Sequence, residues 1–452
     1  MCPNWGQLSS EGNVPQKRKE NTMQIIENSK VKEKVYIEKL ENGMTIMCIP
    51  KKETSKKYII WGIHYGSNDN QFIVPGQEEV TEVPNGVAHF LEHKMFEQEN
   101  GKNSLDVLTA LGVEANAYTT NDHTAYLFEC TDNFYPALDE LMDYVQHPYF
   151  TDENVEKEKG IIGQEIRMYD DYPEWKVYLN AVQNMYQKHP IKIDITGTIE
   201  TISHITKDTL YNCYKTFYHP SNTTMVICGD FEPEQILGEI KKRLIPREKQ
   251  AEIKRIQTEE PKDIAKKEIR QTMEVSTPLF IIGYKDVKPS EDIVKKHIAI
   301  EILLGILIGK SSKLYQKLYN ADLLQQEPDL DYEFSKEYGH IMITGQSKDP
   351  KKIEKELKEE IKRVLEKGIN QEEFERNKKK IYGGYIKEYN DVAEIARMFL
   401  ADSFKGINSF EYLEEYEAVS KEYAEQVLKE VFVEENEVIS IVEGADIRPL
   451  TS

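Results

Sequence analysis

The chain repeats one of its own patterns, and this repeat limits the folds that it can adopt. Residues 205–208 match residues 419–422 without a gap, as ITKD against VSKE, and Asn222 matches Asn436 at the same offset of 214 positions. Each copy then runs into an apolar segment, at 225–228 and at 439–442, that is typical of a buried strand. One helix-then-strand unit therefore closes each half of the chain, which predicts a duplicated domain of about 200 residues.

The charged stretch 246–267 lies between the two copies and predicts a linker. The two domains then span 31–245 and 268–448, and a chain of 452 residues is long enough for each to bury its own core. Residues 1–30 are polar and lack hydrophobic periodicity, so we expect a disordered leader. Met23 precedes the first strand-like segment, near Val35, and is a candidate for the natural start, which leaves open whether residues 1–22 are translated.

Two histidines and a glutamate lie within five residues of each other, as His89, Glu92 and His93. If the segment is helical, the histidines are one turn apart on one face and can both reach a single metal ion. A breaker and a candidate N-cap at 84–86, and no proline or glycine from 87 to 100, favour that helix. The order H-x-x-E-H is the inverted form of a zinc hydrolase motif, with Glu92 as the general base. The alternative is a chance coincidence of these residues on a helix.

A catalytic zinc normally has three protein ligands, so the motif needs one more. Glu158 and Glu165 are seven residues, or about two helical turns, apart on one predicted face. We favour Glu165 as the ligand and Glu158 as a carboxylate that orients a histidine or tunes the site. The alternative is a pair of solvated acids on a surface helix. Gly160 and Gly163 weaken a helix, which indicates that another backbone comes close there.

Residues 115–120 and 124–128 read as two strands around a turn at 121–123. If the first of them is an edge strand, it can accept an extended peptide by main-chain pairing. A sheet strand without a ligand is the alternative. We interpret His123 as a turn residue rather than a metal ligand.

Together these segments resemble the pitrilysin and insulysin peptidases, which include the mitochondrial processing peptidase. The resemblance covers roughly residues 35–235. Besides the metal motif and the glutamate pair, it rests on 116–119 (NAYT), 124–126 (TAY), His189-Pro190, Gly197, 218–222 (YHPSN) and 226–230 (VICGD).

The resemblance implies an α+β fold of two duplicated domains, each a mostly antiparallel sheet covered by helices. It also implies a metalloendopeptidase that hydrolyses peptides or small unfolded polypeptides, with one zinc ion per chain. The implied roles are zinc binding by His89, His93 and Glu165, catalysis by Glu92 with Glu158 beside it, and peptide binding along Asn116, Ala117 and Tyr118.

The second half shows strand-like patterns at 270–284 and 339–345 and helical ones at 294–308, 351–367 and 371–390. It offers His297 and Glu301 one turn apart but no second histidine there, so we interpret it as a non-catalytic copy with a structural histidine. In the family, such a half supplies an arginine and a tyrosine to the substrate. This chain has Tyr319 and Gln326 in those places. The resemblance thus implies a partner, either a homologous subunit or a second copy, and the alternative is a peptide-binding subunit without activity of its own.

The formal net charge of −21 argues against binding to nucleic acid or to an anionic membrane surface. No segment approaches the roughly 20 apolar residues of a membrane span. The five cysteines are an odd number without a C-x-x-C pattern, which indicates reduced thiols in a cytoplasmic protein. None lies near His89 in sequence, which disfavours a structural zinc site, since such sites are usually closed by four ligands and often use cysteine.

Overall fold

The computed structural model describes residues 23–286 and 292–445. The first half contains β1 (Gln24–Asn28), β2 (Glu33–Lys39), β3 (Thr45–Pro50), β4 (Lys57–Ile63), β5 (Gln71–Ile73), β6 (Val80–Glu82), α1 (Val87–Lys94), α2 (Ser104–Ala110), β7 (Glu114–Thr119), β8 (Thr124–Cys130), α3 (Phe134–Gln146), α4 (Asp152–Asp170), α5 (Pro173–Met185), α6 (Ile199–Ser203), α7 (Lys207–Phe217), β9 (Thr223–Gly229), α8 (Pro233–Arg243) and β10 (Lys254–Arg255).

The second half contains β11 (Glu268–Thr272), β12 (Leu279–Asp286), α9 (Ile293–Leu307), α10 (Lys313–Asn320), β13 (Asp329–Phe334), β14 (Gly339–Gln346), α11 (Pro350–Lys367), α12 (Gln371–Glu388), α13 (Val392–Lys405), α14 (Glu411–Ala418), α15 (Lys421–Val431) and β15 (Glu437–Glu443). The strand predicted at 339–345 and the helices predicted at 294–308, 351–367 and 371–390 are confirmed, with ends that differ by one or two residues. The strand-like pattern at 270–284 covers two strands, β11 and β12, with a break at 273–278.

The two halves build sheets of the same order. The first sheet runs β1-β2-β3-β9-β4-β8-β7 and the second runs β11-β15-β12-β14-β13, so the five strands from β3 to β7 match the whole second sheet. In each, one pair is parallel, β3 with β9 and β11 with β15, and the other pairs are antiparallel. The prediction of a two-domain α+β fold with mostly antiparallel sheets is confirmed.

The sequence repeat corresponds to repeated structure. Both ends of α7 and of β9 lie 214 positions before the ends of α15 and β15. The caps match too, because the side chain of Thr206 accepts from the N–H of Thr209, and that of Ser420 accepts from the N–H of Tyr423. These hydroxyl caps satisfy donors that the first turn of a helix leaves free. The domain boundaries themselves stay a prediction, and β10, inside the predicted linker, pairs with β5.

In each half, one face of the sheet is covered by a helix that belongs to the other half. Helix α13 packs on β4 and β9 of the first sheet, and α5 packs on β12 and β15 of the second. A glycine admits each helix: a Cβ on Gly62 would lie 2.5 Å from Cδ1 of Leu400, and one on Gly283 would lie 2.0 Å from Cε of Met185. The two halves are therefore interlocked: each has a hydrophobic core of its own, and two further hydrophobic clusters contain residues of both halves.

The predicted leader is wrong in its last residues. Strand β1 lies inside 1–30 and pairs with β2, so order begins before Val35. Its partner is the next strand, joined to it by the turn at 29–32, and the short sequence of β1 does not by itself indicate this antiparallel pair. Residues 1–22, and with them most of the predicted leader, lie outside the described residues.

Four cysteines, Cys48, Cys130, Cys213 and Cys228, are buried and without a disulfide, as predicted, and burial raises the pKa of each thiol. Cys2 lies outside the described residues. Within 23–286 and 292–445, no helix combines the length and the apolar character that crossing a membrane would require.

Candidate metal centre

Helix α1 carries the two histidines, and its start is fixed by close backbone contact. Gly86 precedes the helix with a φ of 93°. A Cβ there would lie 2.6 Å from the carbonyl oxygen of Thr196, and one on Gly197 would lie 2.5 Å from that of Asn85. Glycine at both positions lets the loop before α1 rest directly on the loop that follows α5.

Helix α1 ends earlier than the uninterrupted run of 87–100 predicts. It stops at Lys94, and the chain then turns so that Glu97 forms an isolated bridge with Asn103. No proline or glycine marks this end before Gly101. The hydrogen bonds of the turn at 96–104 replace those of the helix, since the N–H of Gln98 donates to the carbonyl of Lys102 and that of Ser104 to the carbonyl of Phe96.

His89, His93 and Glu165 converge as predicted. Nε2 of His89 lies 3.6 Å from Oε1 of Glu165, and Nε2 of His93 lies 3.5 Å from Oε2 of the same carboxylate. Ligand atoms of the three residues all lie within 4.8 Å of one another. The two nitrogen–oxygen distances are too long for good hydrogen bonds, so the three side chains surround a gap instead of closing on each other.

The gap has the dimensions of a zinc site. Two atoms that each lie ~2.1 Å from one tetrahedral zinc ion are roughly 3.4 Å apart, close to the distances observed here. Burial lowers the pKa of His89 to about 3, so its imidazole is neutral, which is the form that binds metal. The donor set of two imidazoles and one carboxylate therefore fits zinc.

Glu158 lies behind His93, where the spacing of seven residues on α4 places it. Its Oε1 is 3.1 Å from Nδ1 of His93, and its Oε2 is 3.5 Å from Nζ of Lys94. Burial alone would raise the pKa of Glu158, but the hydrogen bond with His93 and the charge of Lys94 outweigh it and hold this pKa below the usual range. An ionised Glu158 can accept the Nδ1–H of His93 and leave Nε2 free for a metal.

Glu92 flanks the three ligands from α1. Its Oε2 accepts a hydrogen bond of 2.5 Å from the hydroxyl of Thr119, at the end of β7. Burial raises the pKa of Glu92, although the Thr119 hydrogen bond opposes the shift. Thr119 belongs to the segment 116–119 on which the family resemblance rests, but no role beside Glu92 was predicted for it.

Strand β7 is the free edge of the first sheet and pairs only with β8 among the described strands. Asn116 and Ala117 line a cavity of about 440 Å³, together with Glu92, His93 and Glu158. The side chain of Tyr118 instead packs on the other face of the sheet, against the hydrophobic side chains that lie between the sheet and α13. Successive side chains of a strand point to opposite faces, so Ala117 and Tyr118 lie on opposite sides of β7. The predicted contact of Tyr118 with a peptide could therefore be made only by its main chain.

Two other predictions about this region have clear outcomes. No backbone of another segment approaches the glycines of α4: Gly160 has open space beside it, and a Cβ on Gly163 would meet only side chains, those of Ile199 at 3.4 Å and Arg167 at 4.0 Å. That interpretation was wrong. His123 lies in the turn between β7 and β8, where its ring nitrogen meets the hydroxyl of Thr120 at 3.2 Å, and it is not part of the metal-ligand group.

In the second half, the corresponding histidine is hydrogen-bonded to another side chain. His297 is held by the hydroxyl of Tyr412, 2.8 Å from its Nδ1, and burial lowers its pKa to about 3. Tyr416 donates a hydrogen bond of 3.2 Å to Glu301. The interpretation of His297 as a structural residue agrees with these contacts.

The protein therefore belongs to a class of two-domain α+β proteins in which the two halves share one fold. Its first half carries a His-His-Glu group, the single candidate metal centre among the described residues. The family model described as insulinase (peptidase family M16) matches residues 75–199, and the model described as peptidase M16 inactive domain matches residues 204–381. The chain belongs to the M16 family of peptidases, as the sequence resemblance indicated.

Relatives of this chain are zinc proteases by name. The uncharacterized zinc protease YmfH of Bacillus subtilis is 39% identical over 410 residues, which are 90% of this chain and 95% of the relative. An M16-like peptidase structure from Alicyclobacillus acidocaldarius, 34% identical, superposes with a TM-score of 0.87 over 91% of this chain and 99% of its own. A probable mitochondrial-processing peptidase subunit beta of Arabidopsis thaliana is 27% identical over 175 residues, 38% of this chain and 33% of that one.

Proposed function

We propose that this chain is a zinc-dependent metalloendopeptidase that hydrolyses peptides or small unfolded polypeptides. The observation that carries the proposal is the convergence of His89, His93 and Glu165 around a gap of zinc size, with Glu92 beside it. The family and the names of the relatives support it. One zinc ion per chain follows from the single ligand group found among the described residues.

The proposed mechanism assigns a task to each side chain. When bound, zinc supplies a water of lowered pKa and polarises a carbonyl group. His89, His93 and Glu165 would hold the ion, and the carboxylate of Glu92 would accept a proton from the attacking water and pass it to the leaving amine. The Thr119 hydroxyl fixes one oxygen of Glu92 and leaves the other for the proton. Burial raises the pKa of Glu92, which brings the carboxyl closer to the neutral range where it can both take and return a proton.

The substrate would lie as an extra strand along β7. The main chain of Asn116, Ala117 and Tyr118 belongs to a free sheet edge, and two of these residues border the cavity beside Glu92. Pairing with an edge strand recognises an extended backbone rather than a particular sequence. A folded protein does not present such a backbone, so the proposed substrates are peptides and unfolded segments.

A second subunit is part of the proposal. One relative is by name a subunit of a processing peptidase. In this chain Tyr319, which is exposed, and Gln326 occupy the positions where the family resemblance expects an arginine and a tyrosine. The partner would be a homologous subunit that supplies these two residues, or a second copy of this chain. The four buried free thiols suit a reducing compartment, and we propose the cytoplasm.

The test of this function is the variant Glu92→Gln. Glutamine keeps the shape of the side chain but cannot accept a proton, so cleavage of an unfolded peptide should fall by ~10²–10⁴-fold. Zinc content, measured by atomic absorption, should stay near that of the unchanged chain, because Glu92 is not a ligand. Glu99→Gln, an exposed acid in the turn after α1, is the matched control and should cleave normally. Near-normal cleavage by Glu92→Gln would contradict the assignment of the base.

A further inference from the structure

A fully buried lysine stands next to the second histidine of the motif. Lys94 is the last residue of α1 and has 0% of its surface exposed. Its Nζ donates to a carboxylate oxygen of Glu97 and lies 3.5 Å from Oε2 of Glu158. A buried ammonium group is costly unless it is paired, so these two carboxylates account for its presence in the core.

The two oxygens of Glu158 have different partners. Oε2 faces Lys94, and Oε1 lies 3.1 Å from Nδ1 of His93. A carboxylate that is held at one oxygen has its plane and its rotamer restricted, and this directs the other oxygen. Lys94, Glu158 and His93 thus form a continuous chain of charged and hydrogen-bonded groups that connects the end of α1, through α4, back to the face of α1 that carries the ligands.

A local structural role alone would need fewer contacts. Glu97 lies three residues after Lys94, and that pair is sufficient to hold the turn that ends α1. Lys94 also reaches across to another helix and to the carboxylate that touches a proposed zinc ligand. The contact with Glu158 is the one that a purely local ion pair does not explain.

We propose that Lys94 is a positioning residue of the metal centre. It holds Glu158 in the rotamer that accepts the Nδ1–H of His93, which directs Nε2 of His93 toward the gap shared with His89 and Glu165. The inference rests on the proposed function, because zinc is the group that these side chains would serve. Loss of an outer partner of a metal ligand typically weakens metal binding by about 10–100-fold.

The experiment measures zinc affinity of the full chain by competition with a chelating dye, a readout that does not depend on catalysis. Lys94→Met, which keeps the aliphatic stem and removes the charge, should bind zinc roughly 10-fold more weakly. Lys94→Arg should recover part of the loss. The double variant Lys94→Met with Glu158→Gln should be no weaker than Glu158→Gln alone, because the two residues act through one contact.

Lys285→Met is the matched control. Lys285 is also buried, with a side chain 2% exposed, and pairs with Glu260 at 2.6 Å in the second half. It should lower the melting temperature of the zinc-free chain but leave zinc affinity within about twofold, since it touches no part of the centre. If Lys94→Met does not fold, Lys94→Gln takes its place with the same expected loss of affinity.

Three results would overturn the inference: unchanged zinc affinity in Lys94→Met, additive losses in the double variant, or an equal loss in Lys285→Met. Failure of the proposed function looks different, because the unchanged chain would then bind no zinc. A chain that binds zinc and needs Glu92 for cleavage, while Lys94→Met binds as tightly, would contradict only the role of Lys94.

Discussion

In the first half of the molecule two helices surround a gap between candidate metal ligands, whereas in the second half the matching pair of helices is packed in contact. Helix α1 faces α4 across the group formed by His89, His93 and Glu165. Helix α9 faces α12 at Gly305, where a Cβ would lie 2.6 Å from Oδ1 of Asn377. The same sheet order thus carries an open helix pair in one copy and a closed one in the other.

The comparison also shows how similar side chains can take opposite roles. Both halves place a histidine and a glutamate on the helix in question. In the second half, His297 and Glu301 are each hydrogen-bonded to a tyrosine of α14, Tyr412 or Tyr416. In the first half the side chain of His93 is 27% exposed and borders a cavity. Access to the helix, more than its residue types, separates a candidate site from a core.

The largest expected effect is on metal binding in the first half. Glu165→Gln removes the charge and the carboxylate ligand, so zinc affinity should fall by more than the roughly 10–100-fold typical of an outer partner. Atomic absorption after dialysis measures the zinc that remains. Glu153→Gln, an exposed acid at the start of the same helix, should keep its zinc. Full zinc in Glu165→Gln would mean that α4 does not supply the third ligand.

The next effect concerns the second half, where the family resemblance matches Tyr319 and Gln326 to the expected arginine and tyrosine. The isolated monomer should bind zinc but cleave slowly, and a half-length partner that carries both residues should raise the rate on the order of 10²-fold, because the substrate is then held in place. Saturation near one to one is expected.

The double variant Tyr319→Arg with Gln326→Tyr tests the same idea within one chain. If two copies pair, it should cleave faster than the unchanged chain at concentrations where light scattering detects a dimer. Gln325→Tyr, at the neighbouring exposed glutamine, serves as the control and should not. A chain that is monomeric and already cleaves as fast as the mixture would contradict the need for a partner.

A third effect compares the two interlocking contacts. Gly62 and Gly283 are equivalent, because their strand partners Thr224 and Val438 are 214 positions apart. An added Cβ at Gly62 would meet both methyl groups of Leu400 and the ring of Phe404 within 2.9 Å. Gly62→Ala should destabilise the fold by about 1–3 kcal/mol, as overpacking does.

Gly283→Ala should cost less. The nearest atom there is the terminal methyl of Met185, at 2.0 Å, and this flexible side chain can turn aside, although the carbonyl oxygen of Ile341 at 3.0 Å remains. Thermal unfolding of both variants measures the difference. Equal losses of stability, or a larger loss for Gly283→Ala, would show that the side chain of α5 at Gly283 yields no more easily than the side chains of α13 at Gly62.

Local patterns were sufficient to predict much of this molecule. The offset of 214 positions located α7, β9, α15 and β15, and the spacing of seven residues placed Glu158 and Glu165 on one side of α4. Periodicity of 3.6 or 2 residues is a property of the segment itself. It identifies which side chains share a face, and for that reason the candidate ligands could be named in advance.

The features that were missed depend on contacts that no residue pattern marks. The packing of α5 and α13 on the other half's sheet depends on residues far away in sequence. The pairing of β1 with β2 and the turn that follows α1 at Lys94 are local, but no proline or glycine beside β1 or at the end of α1 indicated them. Gly160 and Gly163 show the reverse error, because a helix glycine was taken to indicate a close backbone that is absent. A single sequence encodes the period of an element but not the neighbour that covers it.

The smallest expected effect is a pH dependence in the closed half. Burial raises the pKa of Glu301 to about 7, above the value near 4.5 that it has when unfolded. The protonated carboxyl therefore stabilises the fold below about pH 4.5, and this contribution is lost as the pH rises through 7. Glu301→Gln does not titrate, so its melting temperature relative to the unchanged chain should rise between pH 5 and pH 8, on the order of 2 °C.

Glu435→Gln, an exposed acid in the same half, should show no such trend. A difference between Glu301→Gln and the unchanged chain that is the same at pH 5 and pH 8 would mean that Glu301 is as well solvated in the fold as outside it, and that the second half is less closed than its tyrosine contacts indicate.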